Sequence, residues 1–146
     1  MSSKRTAALA AAALAALVAF DWSRPKSGDL RQFDPLEVGR LETDMWRSYY
    51  DRKPVGLFAD LAELLRKQYH LSLTRSLAAA YDAARAAFVF KDGNSRADYE
   101  RALPNLVRYY RAILPAAADA GRAGKLELEW WIIHRERSRY GRADLE

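Results

Sequence analysis

Apolar residues recur at the spacing of an α-helix through most of the chain after residue 33, and this periodicity limits the fold more than any other feature. Leu57, Leu61 and Leu65, for example, fall on one side of a helix built from residues 54–69. No segment alternates apolar and polar residues between closely spaced turns, as the strands of a sheet would. The sequence therefore predicts an all-α fold: an antiparallel bundle of four to five helices preceded by an N-terminal hydrophobic helix.

Local signals predict the helix ends. Asp34 as N-cap, Pro35 at the first helical position and Glu37 at the third form a strong helix start. Pro104 is expected to bend a helix that begins near Ser95, because proline removes one backbone donor. The predicted helices cover residues 34–52, 54–69, 73–90, 95–113 and a stretch after Pro115 that ends near Tyr140, with an interruption near Gly121 and Gly124. On the third of these, Leu73, Leu77, Tyr81, Ala84 and Phe88 form an apolar stripe.

The N-terminal segment differs from the rest of the chain. A short basic stretch precedes an unbroken apolar run over residues 7–20. As a helix this run is roughly 21 Å long, which is short for a bilayer span and typical of a signal peptide. Leu17, Val18 and Ala19 offer a cleavage site. The segment has no polar face, so an ordinary surface helix is disfavoured, and an Ala-rich helix of a cytoplasmic protein remains the alternative.

The sequence pattern predicts that the chain has three parts. Residues 1–22 form a signal or anchor segment, residues 23–33 a polar linker, and residues 34–146 the helical domain. The protein is then exported or membrane-anchored, with residues 7–20 as the membrane contact.

The stretch "LELEWWIIHRER", residues 126–137, contains the most unusual polar groups. At 100° per residue, Glu127, Trp131 and His134 fall together, and apolar residues flank them on both sides. Glu42 is likewise centred between the apolar flanks of the first predicted helix. A carboxylate in such a position needs a partner or a raised pKa. We therefore expect Glu42 and Glu127 to turn inward.

Two interpretations of these inward groups remain open. Arg85 and the hydroxyls of buried tyrosines would satisfy the carboxylates in a network that only fixes helix register. Alternatively, the groups line a polar pocket that binds a small ligand or a partner. The candidate binding residues are Glu42, Tyr49, Arg85, Tyr110, Glu127, Trp131 and His134.

Several kinds of chemistry lack support in the sequence. The chain has no cysteine, and it carries no nucleophile elbow, phosphate loop or Glu-x-x-His motif. Glu127 and His134 lie about 10 Å apart along a helix axis, too far to bind one metal ion unless the helix distorts, which disfavours a mononuclear site built on Glu42, Glu127 and His134. No cofactor is predicted. The net charge is +5, but acidic residues are interspersed among the basic ones along the chain. This mixing argues against nucleic-acid binding.

The leading hypothesis is therefore a domain that binds a partner or small ligand without catalysis. The alternative is an enzyme or metal-binding bundle that uses Glu42, Glu127 and His134.

Overall fold

The computed structural model describes residues 3–24 and 29–143, and within them the chain forms helices and turns but no strand. The prediction of an all-α bundle with an N-terminal apolar helix is confirmed. Parts of the predicted linker and of the C-terminus, residues 25–28 and 144–146, lie outside the described residues. The helices are α1 (Ser3–Ser23), α2 (Pro35–Tyr50), α3 (Pro54–Tyr69), α4 (Leu73–Asp92), α5 (Arg96–Glu100), α6 (Leu103–Ile113) and α7 (Ala120–Ala143).

Local capping chemistry begins two of the helices. The Asp34 carboxylate accepts hydrogen bonds from the backbone amides of Leu36 and Glu37, with Pro35 in the first turn of α2, as the sequence predicts. Ser95 and Asp98 form a reciprocal capping box at the start of α5. These side chains satisfy amides that would otherwise lack partners, so the helix starts are determined by the local sequence.

Helices α2 and α3 form an antiparallel pair, held at both ends by polar contacts. Lys67 near the end of α3 lies 3.0 Å from Glu37 at the start of α2. At the other end, the Ser48 hydroxyl donates to Asp60 over 2.9 Å. We call the end with the start of α2, the end of α3 and the start of α4 the proximal end, and the opposite one the distal end.

The remaining helices extend this pair in chain order, with α4 packed on α3, α6 on α4, and α7 on α6. The apolar interior has two parts. A proximal core brings together Val38, Leu41, Leu61, Leu64, Leu65, Leu71 and Ile113 with small residues of α4. A distal core is formed by Ala86, Phe90, Tyr99, Ala102, Leu106, Leu128 and Ile132.

Helix α4 buries a different face from the one that its large residues suggest. Its inward face consists of small side chains, Ser76, Ala79, Ala80 and Ala86, with Phe90 at its distal end. The predicted stripe is instead exposed at Leu73, Leu77, Tyr81 and Phe88. Small residues let the backbones of α3 and α6 approach closely, and this close approach decides which face is covered.

Two predicted helix details are wrong. The helix expected from Ser95 onward breaks at a turn at residues 101–102, so Pro104 lies in the first turn of a new helix, α6, rather than bending an old one. The interruption expected near Gly121 and Gly124 is absent, because α7 runs continuously from Ala120 to Ala143.

Candidate functional site

Glu127 lies at the centre of the polar contacts made by α7 with its neighbours. The Tyr110 hydroxyl donates to Glu127 Oε2 over 3.1 Å, and Trp131 Nε1 donates to Oε1 over 2.7 Å. The Trp131 ring meets Phe90 edge-on, with ring centroids 5.2 Å apart. Both carboxylate oxygens of this half-buried side chain therefore bind neutral donors, and none of the described ion pairs includes Glu127. The structure thus brings together three of the predicted residues: Tyr110, Glu127 and Trp131.

Tyr69, Tyr109 and Tyr110 form a tyrosine cluster packed against the proximal core, in which the Tyr109 and Tyr110 rings meet edge-on with centroids 5.2 Å apart. Burial raises the pKa of the Tyr109 phenol far above its usual value, and the Glu127 and Glu42 carboxylates, together with Tyr69 and Tyr110 in their ionised forms, raise it further. Burial and then Glu127 likewise raise the pKa of Tyr110. These phenols stay protonated at neutral pH. They are hydrogen-bond donors and are poorly suited to act as general bases.

The expectation that Glu42 turns inward is wrong, because its side chain is exposed. Helix α2 is an edge helix that packs mainly on α3, so the centre of its apolar arc is not covered. Glu42 nevertheless lies within electrostatic reach of the tyrosine cluster, since its charge raises the pKa of Tyr69, after burial as the main cause. It therefore sits at the rim of the cluster.

His134 is also exposed, contrary to the inward position expected from the sequence. Its ring stacks on the exposed Trp130 ring, with centroids 4.9 Å apart. Helix α7 is apolar over most of its circumference, and its contact with the bundle covers the side that carries Leu128 and Ile132. The side with Leu126, Trp130 and Ile133 stays exposed, and His134 lies beside it.

The other two predicted site residues lie apart from Glu127. Tyr49 packs at the distal end of α2, 5.9 Å from the Trp46 ring and 5.5 Å from the Tyr50 ring. Arg85 is exposed on α4, and none of the ion pairs found among the described residues includes it. Its predicted role as a buried partner is therefore wrong.

Neither of two depressions in the bundle surface joins these residues. A shallow depression of about 160 Å³ has Tyr49 in its wall, together with Ser48, Arg52, Lys53, Phe88 and Lys91. A second, of about 230 Å³, is lined by Arg96, Glu100, Leu103, Lys125, Leu128 and Glu129. Among the described residues, no group of three or more His, Asp or Glu side chains is arranged to hold a metal ion. The geometry around Glu127 favours a hydrogen-bonded network that fixes the position of α7.

A second polar site, which the sequence reasoning missed, fastens α1 to the bundle. The hydroxyls of Ser72 and Thr74, at the start of α4, donate to the Asp21 carboxylate. Arg75 donates to the backbone carbonyls of Asp21, Trp22 and Arg24 at 3.1, 2.8 and 2.6 Å. The two helix ends are thus joined: the Asp21 carboxylate binds hydroxyl groups at the amino end of α4, and the Arg75 guanidinium binds carbonyls at the end of α1.

The sequence contains a signal for this clamp. Asp21 follows directly after the apolar run, and "SLTR", residues 72–75, is a helix start rich in hydroxyl groups. What the sequence does not give is the contact between segments that lie 51 to 54 residues apart in the chain.

No protein-family model, curated protein or solved structure matches this chain.

Proposed function

We propose that this protein is a non-catalytic helical domain tethered to a membrane by α1, and that it binds a partner protein through the exposed apolar face of α7. The tether is supported by one observation above all: between residues 3 and 24, every side chain except those of Val18 and Asp21 is exposed. The bundle has its own cores and does not use α1 to complete them.

The length of α1 fits this role. By length and composition it is the one helix among the described residues that qualifies as a membrane span, although a signal sequence near the N-terminus passes the same test. Its 21 residues together extend about 31 Å, close to the thickness of the hydrocarbon core, and the apolar run over residues 7–20 spans about 21 Å of that length. An apolar helix without a polar face buries no polar side chain when it enters lipid. In water its whole apolar surface is exposed, which is unfavourable in free energy.

Charging the apolar helix is expected to detach the protein from membranes. In the double variant Leu14→Arg, Leu17→Arg, each arginine near the helix centre costs about 3 kcal/mol of insertion free energy. The natural chain should stay in the membrane pellet after an alkaline carbonate wash, and the variant should move to the soluble fraction. The control Tyr50→Arg, Val55→Arg adds the same charge at exposed distal positions and should remain in the pellet.

The intact mass of the membrane-bound protein separates a tether from a cleaved signal. A chain that keeps the first nineteen residues supports the tether. A mature chain that begins at Phe20 contradicts it and leaves an exported domain released from the membrane.

The partner half of the proposal is supported by the unpaired face of α7. Leu126, Trp130 and Ile133 lie at helical spacing, and each is more than half exposed. Isolated apolar side chains on a surface are ordinary, whereas a stripe of three large ones along one helix is typical of a protein contact. The His134 ring stacks on Trp130, which is the largest of these three side chains.

A single introduced cysteine tests whether this face is covered in the cell, because the natural chain has none. Ile133→Cys is expected to react slowly with a water-soluble maleimide in native membranes, and several-fold faster after purification in detergent. Val55→Cys, equally a distal aliphatic position and 81% exposed, should react rapidly in both samples. Equal reactivity of Ile133→Cys before and after purification contradicts a bound partner.

A further inference from the structure

The clamp places the proximal end of the bundle next to the point where the apolar run of α1 stops. The run ends at Phe20, and the next residue, Asp21, is bound by Ser72 and Thr74 of α4. One residue is a rise of about 1.5 Å along a helix. No flexible spacer therefore separates the apolar segment from the folded domain. Arg75 reinforces the junction through three carbonyl groups.

This end of the bundle exposes large apolar side chains from four different segments. Trp22 at the end of α1 and Leu73 at the start of α4 are 54% and 56% exposed, and Leu36 in the first turn of α2 is 84% exposed. Phe33, which precedes α2, is also exposed. Tryptophan favours the boundary between headgroups and acyl chains, and aliphatic side chains gain free energy when they enter it.

Three basic side chains of the same end, Lys67, Arg66 and Arg75, are engaged within the protein. Lys67 binds Glu37, Arg66 lies 2.9 Å from Glu63, and Arg75 donates to backbone carbonyls of the clamp. Recognition of anionic lipids depends on clusters of basic side chains that are free to meet headgroups. The exposed apolar side chains Trp22, Leu36 and Leu73 therefore suit the headgroup–acyl boundary of a bilayer irrespective of lipid charge.

We infer that the proximal end is a membrane-docking surface: Trp22, Leu36 and Leu73 insert into the headgroup–acyl boundary of the same bilayer that holds α1. This inference rests on the proposed tether and goes beyond it, because a tether by itself leaves the orientation of the domain free. The clamp and the docked side chains together hold the bundle upright, with its distal end and the C-terminal half of α7 directed away from the membrane.

Single cysteines carrying an environment-sensitive fluorophore test the docking in the full-length chain. Leu36→Cys and Leu73→Cys report on the proximal end, and Val55→Cys, as exposed as Leu36 but at the start of α3, is the distal control. Each labelled protein is reconstituted into nanodiscs of phosphatidylcholine, and separately into nanodiscs that also contain phosphatidylglycerol. The expected result is a blue-shifted emission, quenched by spin-labelled lipid, at both proximal positions and in both lipids. The label on Val55→Cys should keep the emission of a water-exposed dye.

The outcomes separate the docking from the tether. Protein that co-purifies with nanodiscs while its proximal labels remain in water overturns the docking and leaves the tether intact. Protein that fails to co-purify with nanodiscs overturns both. A shift that occurs only with phosphatidylglycerol overturns the charge-independent surface inferred here, and circular dichroism of each variant establishes that the bundle is folded.

Discussion

Gly124→Leu is expected to lower the free energy of unfolding by about 2–3 kcal/mol, because α6 and α7 touch at this glycine. A Cβ placed on Gly124 would lie 3.1 Å from the backbone nitrogen of Val107 and 3.1 Å from its Cγ2. A backbone atom cannot rotate away as the end of a long side chain can. The two helices must therefore separate to accept a larger side chain, and the separation loosens the packing of Leu106 and Leu128 in the distal core.

Gly39→Leu is the matched control for this substitution. Gly39 also lies inside a helix, but a Cβ there meets no atom within 4 Å. The same replacement should raise the free energy of unfolding by about 0.5–1 kcal/mol, because leucine favours a helix more than glycine does. Urea denaturation of the full chain in mild detergent, followed by circular dichroism, measures both variants. Similar stabilities for the two would contradict the close contact of α6 and α7.

The position of Gly124 illustrates what the sequence reveals about helix interiors and what it does not. Glycine disfavours helix formation, so an interruption near Gly121 and Gly124 is the expected reading of the local sequence. In the structure, the contact with α6 requires a residue without a side chain at residue 124, and tertiary packing outweighs the local preference. Helix starts were predicted correctly at Asp34 and Pro54 because their causes lie within a few residues of the chain.

The buried face of a helix depends on its neighbours as well as on its own pattern. On α4 the large residues point outward, because α3 and α6 approach the small ones. On α7 the apolar residues occupy most of the circumference, and the bundle covers one side only. An angular plot locates the middle of an apolar arc, which is where Glu127 and His134 fall. It does not show how much of that arc the neighbouring helix covers. Glu127 lies within the covered part and is half-buried, whereas His134 lies beyond it and is exposed.

The three residues that do meet were recognisable from the sequence for a physical reason. Trp131 follows Glu127 by four positions, and side chains at this spacing are neighbours on a helix. Tyr110 carries a hydroxyl that needs an acceptor once it is buried, and Glu127 supplies that acceptor. By contrast, the burial of Glu42 and Arg85 depends on which helices pack together, and the local sequence does not contain that information.

Arg135→Ala is expected to lower the free energy of unfolding by about 2–3 kcal/mol, because this arginine joins the end of α4 to α7. Its guanidinium donates to the carbonyls of Phe90, Lys91 and Gly93 at distances of 2.9, 3.3 and 3.1 Å. The Lys91 and Gly93 carbonyls lie at the end of α4 and just beyond it, and the Phe90 carbonyl also accepts from the Gly93 amide. The same group lies over the rings of Phe90 and Tyr99, 4.5 and 5.3 Å from their centroids. The expected loss combines hydrogen bonds to a charged donor with two cation–π contacts.

The sign of the effect separates this tertiary role from helix propensity. Alanine favours a helix slightly more than arginine, so propensity would leave both Arg135→Ala and the control Arg137→Ala unchanged or slightly more stable. Arg137 is exposed on the same helix, and its replacement should stay within about 0.5 kcal/mol of the natural chain. The free energy of unfolding of Arg135→Lys should lie between those of the two alanine variants. Lysine keeps the charge, but its ammonium group lacks the planar set of donors with which the guanidinium reaches three carbonyls. Hydrogen exchange gives the decisive readout. Amides in the last turn of α4 should lose protection in Arg135→Ala and keep it in Arg137→Ala, and equal protection in the two variants would show that Arg135 does not hold this helix end.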